Sequence, residues 1–143
     1  MTRLRVLVVE DSYLILMALE TLLENLGMEI VGSAGNLRQA VALAQTTEAE
    51  LAILDINLGD EMVFPAAEIL RARRIPFLFT TGYSMAPRLQ QDFADAPQLL
   101  KPYDEAALMK QIAACLGDAS RRNDKASNEP EPALGGDAAT VVV

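Results

Sequence analysis

Short apolar runs alternate along this chain with longer segments whose apolar residues recur at helical spacing. Leu4 to Val9, Glu29 to Ala34, Leu51 to Leu54, Phe77 to Thr80 and the brief Leu99-Leu100 read as strands. Leu51-Ala52-Ile53-Leu54 lacks the apolar–polar alternation of a half-exposed strand, and Leu4–Val9 is rich in β-branched residues, so both suit strands buried on two faces. Between these runs the period changes. Ser12 is placed to cap a helix reaching Leu26, with Ile15, Leu19, Leu22 and Leu26 on one stripe, Glu20 and Glu24 off it, and Gly27 at the position that ends such a helix. Gly35-Asn36 supplies a turn and cap for a helix from Leu37 to about Gln45, whose stripe is Leu37, Ala40, Val41 and Ala44.

A third helix is predicted from Val63 to about Arg73, with Ala66, Ala67 and Leu70 on one face. Pro65 sits near its start, where a missing N–H does no harm. Arg71, Arg73 and Arg74 crowd its C-terminal end and read as a solvated terminus that complements the helix dipole. Asp104 can cap a last helix, Glu105 to Leu116, with Leu108, Ile112 and Cys115 inward and Gly117 as its stop. Ser84 to Pro97 is the weak stretch. It holds two prolines, two aspartates and only Leu89 and Phe93 as an i, i+4 pair, which predicts a short or mobile helix between loops. Five strands alternating with helices imply an α/β domain, a parallel sheet covered on both faces. From Asp118 the composition shifts to Asn, Asp, Ser, Pro, Gly and Ala, so the expected organisation is one domain over 1–117 and a disordered tail over 118–143.

Composition narrows the chemistry. Half of the 143 residues are apolar, enough for a core without disulfide staples. The formal charge of −8 and the lack of any basic run argue against nucleic acid or an anionic membrane as direct partners. There is no histidine, which excludes His-ligated metals, His general bases and a phosphohistidine on this chain. The single Cys115, among apolar neighbours, reads as a small core residue. The N-terminal apolar run is shorter than a signal or membrane segment, so a soluble cytoplasmic protein is the expectation.

The strand ends carry the chemistry. Glu10-Asp11 follows the first strand, Asp55 the third, Thr81 the fourth and Lys101 the fifth. In a parallel sheet these ends share one edge, where open α/β folds bind their ligands. Taken alone, Asp55 could equally open a turn, since Asp is common there. Glu10, Asp11 and Asp55 together form a hard, all-oxygen site that suits Mg²⁺; without a cation the three would repel, raising their pKa values. A carboxylate nucleophile, a divalent cation, an ammonium and a hydroxyl describe phosphoryl transfer to aspartate, and Gly82 lets the backbone approach the phosphoryl group.

The set Glu10-Asp11, Asp55, Thr81-Gly82 and Lys101-Pro102 resembles the receiver domain of two-component response regulators over residues 4–117. That resemblance implies a flavodoxin-like, doubly wound sheet of order 2-1-3-4-5. It implies that Asp55 accepts a phosphoryl group from a sensor histidine kinase or a histidine phosphotransfer protein. Asp11, Asp55 and the backbone carbonyl of Asn57 would bind Mg²⁺, with Glu10 acting through water. Lys101 would contact the phosphoryl group, Thr81 would move toward it as a switch, and the Lys101–Pro102 peptide is expected to be cis. The only chemistry expected is phosphorylation and dephosphorylation of Asp55 itself, with no turnover of other substrates.

Two features depart from the common pattern. Gln98 stands three residues before the lysine, where receivers of this type carry Tyr or Phe. Phe79-Thr80-Thr81-Gly82-Tyr83 resembles the Phe-Ala-Thr-Gly-X-Tyr subgroup associated with HWE-type sensor kinases and a reduced fourth helix, although Thr80 replaces Ala and Tyr83 directly follows Gly82. Tyr83 is either part of the output switch or a partly buried packing aromatic. Output would be binding of a downstream protein, relay of the phosphoryl group or its drainage as a sink. Two alternatives are a pseudo-receiver that binds without being phosphorylated and a phosphatase of the haloacid dehalogenase type. The latter needs a second aspartate two residues after the first, where this chain has Asn57.

Overall fold

A computed structural model describes residues 3–82 and 93–123. The chain runs β1 (Arg5–Val9), α1 (Tyr13–Asn25), β2 (Glu29–Ala34), α2 (Leu37–Thr46), β3 (Leu51–Asp55), β4 (Asn57–Leu58), β5 (Glu61–Met62), α3 (Phe64–Ala72), β6 (Phe77–Thr81), β7 (Gln98–Leu100) and α4 (Glu105–Asn123). The main sheet has five parallel strands in the order β2-β1-β3-β6-β7. Setting aside the small antiparallel β4–β5 ladder, this is the 2-1-3-4-5 order of a doubly wound fold.

Alternation along the strands divides the core. Leu7, Val9, Ala52, Leu54, Phe77 and Phe79 face α2 and α3, and Val6, Val8, Leu51, Ile53, Leu78 and Leu99 face α1 and α4. The helices meet them with the predicted stripes: Leu19 and Leu22 in α1, Ala40 and Ala44 in α2, Ala66, Ala67 and Leu70 in α3, and Leu108, Ile112 and Cys115 in α4. Leu23, which lies off the predicted α1 stripe, is also fully buried, because the helix seats against the sheet across a wider arc.

The caps are those the residue types call for. Asn36 Oδ1 accepts from the Gln39 N–H at 2.9 Å, and Asp104 Oδ1 from the Ala107 N–H at 2.8 Å. Helix α1 ends with Gly27 at φ +86°, where the Gly27 and Met28 N–H groups donate to the Glu24 and Leu23 carbonyls. Helix α3 ends in the same geometry without a glycine: Arg74 has φ +62° and the Ile75 N–H donates to the Leu70 carbonyl.

Two expectations are corrected here. Helix α4 does not stop at Gly117 but continues to Asn123, so residues 118–123 of the predicted tail are helical. A glycine inside a helix costs about 1 kcal/mol relative to alanine but ends it only when the chain turns left-handed, and Gly117 does not. The arginines after α3 are also not simply solvated. The Arg73 guanidinium donates to the Ala44 carbonyl at 2.7 Å, joining α3 to α2, and the Arg71 guanidinium lies 4.2 Å from the centre of the Phe93 ring.

Of the weak stretch, residues 93–97 form one turn, in which the Ala96 N–H donates to the Phe93 carbonyl. The predicted short helix over 84–92 and the residues from 124 onward lie outside the described residues, as does Tyr83. Among the described residues no helix is long and apolar enough to cross a membrane.

Candidate functional site

Strand register builds the site. Val9 lies beside Leu54 in the β1–β3 ladder, so the next residues along the two strands, Glu10 and Asp55, leave the sheet at the same level. Asp55 pairs with Thr80 across to β6, and Thr81 pairs with Leu100, directly before Lys101. The Lys101 N–H donates to the Thr81 carbonyl at 2.8 Å, which fixes where the lysine leaves β7. Four chain segments far apart in sequence thus deliver their chemistry to one edge.

Glu10, Asp11 and Asp55 each present an oxygen within 4.8 Å of the others. Glu10 and Asp55 are buried and Asp11 is exposed, so the cluster opens to solvent on the Asp11 side. The Lys101 ammonium enters from the opposite strand. It donates to Glu10 Oε1 and lies 3.3 Å from Asp55 Oδ2. The second oxygen of Glu10 accepts from the Ser12 N–H at 3.0 Å, so the carboxylate is held from two sides. Asp11 Oδ2 accepts from the Gly59 N–H at 3.1 Å. Gly59 has φ +65°, the left-handed conformation that the β4–β5 turn requires and that glycine adopts at least cost.

The charges divide unevenly. Burial pushes the Asp55 carboxyl up, the adjacent Glu10 charge pushes it further, and Lys101 only partly offsets them, leaving it at about 7. Burial would raise Asp11 too, but hydrogen bonding with Glu10, the Gly59 N–H, Asp55 and the charge of Lys101 outweigh it and hold Asp11 below the usual carboxylate range. Mutual repulsion therefore does not raise every member of the cluster, as composition alone suggested. Asp55 keeps its proton to higher pH than an ordinary carboxyl, and the exposed, backbone-bonded Asp11 sheds its own more readily.

The structure brings together five of the predicted residues: Glu10, Asp11, Asp55, Thr81 and Lys101. Asn57 stands in β4 between Asp55 and the Gly59 turn. Thr81 is buried at the end of β6. The Lys101–Pro102 peptide is cis, as expected. Two participants, Gly59 and Ser12, escape a residue-by-residue reading. Gly59 could have been found as the glycine of the turn after Asp55. Ser12 caps α1 through its hydroxyl, as predicted, and its N–H also serves Glu10. Tyr103 directly follows Lys101-Pro102. It is buried, and its hydroxyl has no hydrogen-bond partner among the described residues.

An all-oxygen cluster with one carboxyl still protonated near neutrality fits a hard divalent cation, which would take the place of that proton. Comparison with known proteins agrees with this chemistry. A family model for the response regulator receiver domain matches residues 6–113. The chain is 33% identical over 111 residues to the transcriptional regulatory protein PdtaR of Mycobacterium tuberculosis, an alignment covering 76% of this chain and 54% of PdtaR. It is 34% identical over 113 residues to the sensory transduction protein LytT of Bacillus cereus, covering 76% of this chain and 46% of LytT. The chain thus spans about half the length of these curated relatives. Among solved structures, SdrG from Sphingomonas melonis Fr1 superposes with a TM-score of 0.72 at 41% identity, covering 81% of this chain and 99% of that one. The BeF₃-activated conformation of SdrG from Pseudomonas melonis Fr1 superposes with a TM-score of 0.68 at 42% identity, covering 81% of this chain and 99% of that one.

Proposed function

The chain belongs to the response regulator receiver domain family, and on that premise we propose that it is a phosphorylation switch whose acceptor is Asp55. The observation that carries this reading is the reach of the Lys101 ammonium across the sheet edge to both Glu10 and Asp55. A structural ion pair needs one carboxylate. Here one partly buried cation serves two buried carboxylates, beside a third carboxyl group, an arrangement that is costly unless a further cation and a phosphoryl group complete it.

In the proposed reaction a carboxylate oxygen of Asp55 attacks the phosphorus of a phosphohistidine on a sensor kinase or phosphotransfer protein. An O–P bond forms, the N–P bond breaks, and the electron pair returns to the donor's imidazole nitrogen. Asp11, Asp55 and the Asn57 carbonyl would hold Mg²⁺, with Glu10 acting through water, and the ion would supply charge neutralisation for the transferring oxygens. Lys101 shifts from the carboxylates to the phosphoryl group, and Thr81 offers it a hydroxyl. The added charge, nearly two units at neutral pH, then has to be balanced by movement of these groups, and a partner protein reads that movement. The Phe79–Tyr83 motif suggests a kinase of the HWE type as donor.

Incubation with acetyl phosphate and Mg²⁺ is expected to add one acid-labile phosphoryl group, seen by intact-protein mass spectrometry and absent from Asp55→Asn. A wild-type protein that stays unmodified would overturn the reading and favour a binding module that never sees phosphate. Steady phosphate release from unrelated monoesters would favour a phosphatase instead.

A further inference from the structure

Asp11 is the one member of the acidic cluster that is exposed to water. Glu10 and Asp55 are buried and share the Lys101 ammonium, whereas Asp11 lies at the mouth of the pocket with both carboxyl groups behind it. Any charge on those two drives the Asp11 side chain outward, away from the place where a cation would need it. A tether to the body of the protein opposes that drift.

The tether comes from a turn 48 residues further along the chain. The Gly59 N–H donates to Asp11 Oδ2 at 3.1 Å. A short, well-anchored arm aims this donor. At its root the Ile56 N–H donates to the Thr80 carbonyl at 3.0 Å, which fixes it to β6, and the Val63 N–H donates to the Ile56 carbonyl at 3.0 Å, which closes it. Between root and tip Asn57 pairs with Met62 and Leu58 with Glu61, and the Leu58 side chain is buried in the core. At the tip Gly59 takes φ +65°, and a Cβ built there would meet nothing within 4 Å. The glycine therefore serves its backbone angle and not a shortage of space. A backbone N–H carries no ionisable proton, so it holds Asp11 whatever the charge on the pocket. It takes one lone pair of one oxygen and leaves the rest of the carboxylate for a cation.

We propose that Gly59 is a positioning residue for metal binding: its left-handed turn at the tip of the β4–β5 arm holds Asp11 at the pocket mouth, ready for Mg²⁺. The inference rests on the reading of Glu10, Asp11 and Asp55 as the Mg²⁺ site. The same arm carries Asn57, so one turn would set two of the groups around the ion.

Two substitutions separate backbone angle from bulk. Gly59→Val refuses a left-handed φ, whereas Gly59→Asn accepts it at little cost, and both side chains enter the same open space. Calorimetric titration of the metal-free proteins with MgCl₂ is expected to give about tenfold weaker binding for Gly59→Val, the loss typical when a group that orients a metal ligand is removed, and an affinity within about twofold of wild type for Gly59→Asn. Nuclear magnetic resonance adds a readout that a merely structural turn would not move. The Gly59 amide proton of the metal-free wild type is expected downfield, as for an N–H bonded to a carboxylate, and should move upfield in Asp11→Ala while the Ile56 and Val63 amides stay in place. This readout needs no change in the turn, so it stands even where Gly59→Val fails to fold. Unchanged Mg²⁺ affinity in Gly59→Val, or equal weakening in both Gly59 variants, overturns the role of the turn. A Gly59 amide that does not respond to the loss of Asp11 overturns the tether. A wild type that binds no Mg²⁺ overturns the metal-site reading itself, and this inference with it.

Discussion

Strand β6 borders two regions built on opposite principles. Through Phe77 and Phe79 it enters an aromatic cluster with Phe64 and Phe93, whose ring centres lie 5.3–5.9 Å apart in stacked, tilted and edge-on pairs. Through Thr80 and Thr81 it reaches the carboxylate pocket, where three acidic groups share one ammonium. In the first region every contact is attractive, and burial adds to each. In the second, burial penalises the charges that the residues must carry. Buried groups that cost stability and lie together at a ligand-binding edge are best understood as held for chemistry, with the aromatic cluster and its surroundings supplying the stability they draw on.

The contrast is sharpest under mutation. Phe79→Ala should remove about 3–5 kcal/mol from the unfolding free energy, because the ring is fully buried against three other aromatic rings and its loss leaves a cavity; urea titration measures it. Asp55→Asn should act in the other direction. The Asp55 carboxyl ionises at about 7 in the folded protein and near 3.8 in the unfolded chain, so the folded state binds more protons between those values. Stability of the metal-free wild type from this group is then fully present below about pH 4 and is lost as the pH rises through 7. Asp55→Asn has no such loss and should be more stable by about 2 kcal/mol at pH 8, with little difference at pH 4. Melting curves that fall in parallel with pH for both proteins would show that the pocket is not under this load.

The same proton governs metal binding. Mg²⁺ must displace it from Asp55, so Mg²⁺ affinity should rise about tenfold per pH unit below 7 and level off above. Calorimetry in buffers of different ionisation enthalpy should detect the released proton for wild type and none for Asp55→Asn. A pH-independent affinity would place the proton elsewhere. The smallest effect is remote from both regions. Arg74 sits at φ +62° at the end of α3, where Gly27 does the same work after α1 without strain. Arg74→Gly should therefore gain up to about 1 kcal/mol, measured by thermal melting, and leave phosphorylation unchanged.

Much of this was legible in the residues. The apolar runs and helical stripes located every strand of the main sheet and four helices, because burial on two faces or one leaves a period that a reader can count. The acidic pair after β1, the aspartate after β3 and the lysine after β7 could be assigned to one edge, because a parallel sheet has only one C-terminal edge. Those are statements about pattern and topology, and a linear sequence carries both.

Other features depend on distances that no spacing encodes. That Arg71 lies on Phe93 and Arg73 on the Ala44 carbonyl depends on how α3 seats against its neighbours. That α4 continues through Gly117 depends on a backbone angle that glycine leaves open. That Asp55 rather than Asp11 keeps the proton depends on which carboxyl is buried and which receives the Gly59 N–H, and this is a matter of a few ångströms. Sequence by itself determined which chemical groups meet at the edge of the sheet. Only the tertiary structure decided how the charge is shared among them, because desolvation and hydrogen bonding act through local geometry and leave no period in the chain.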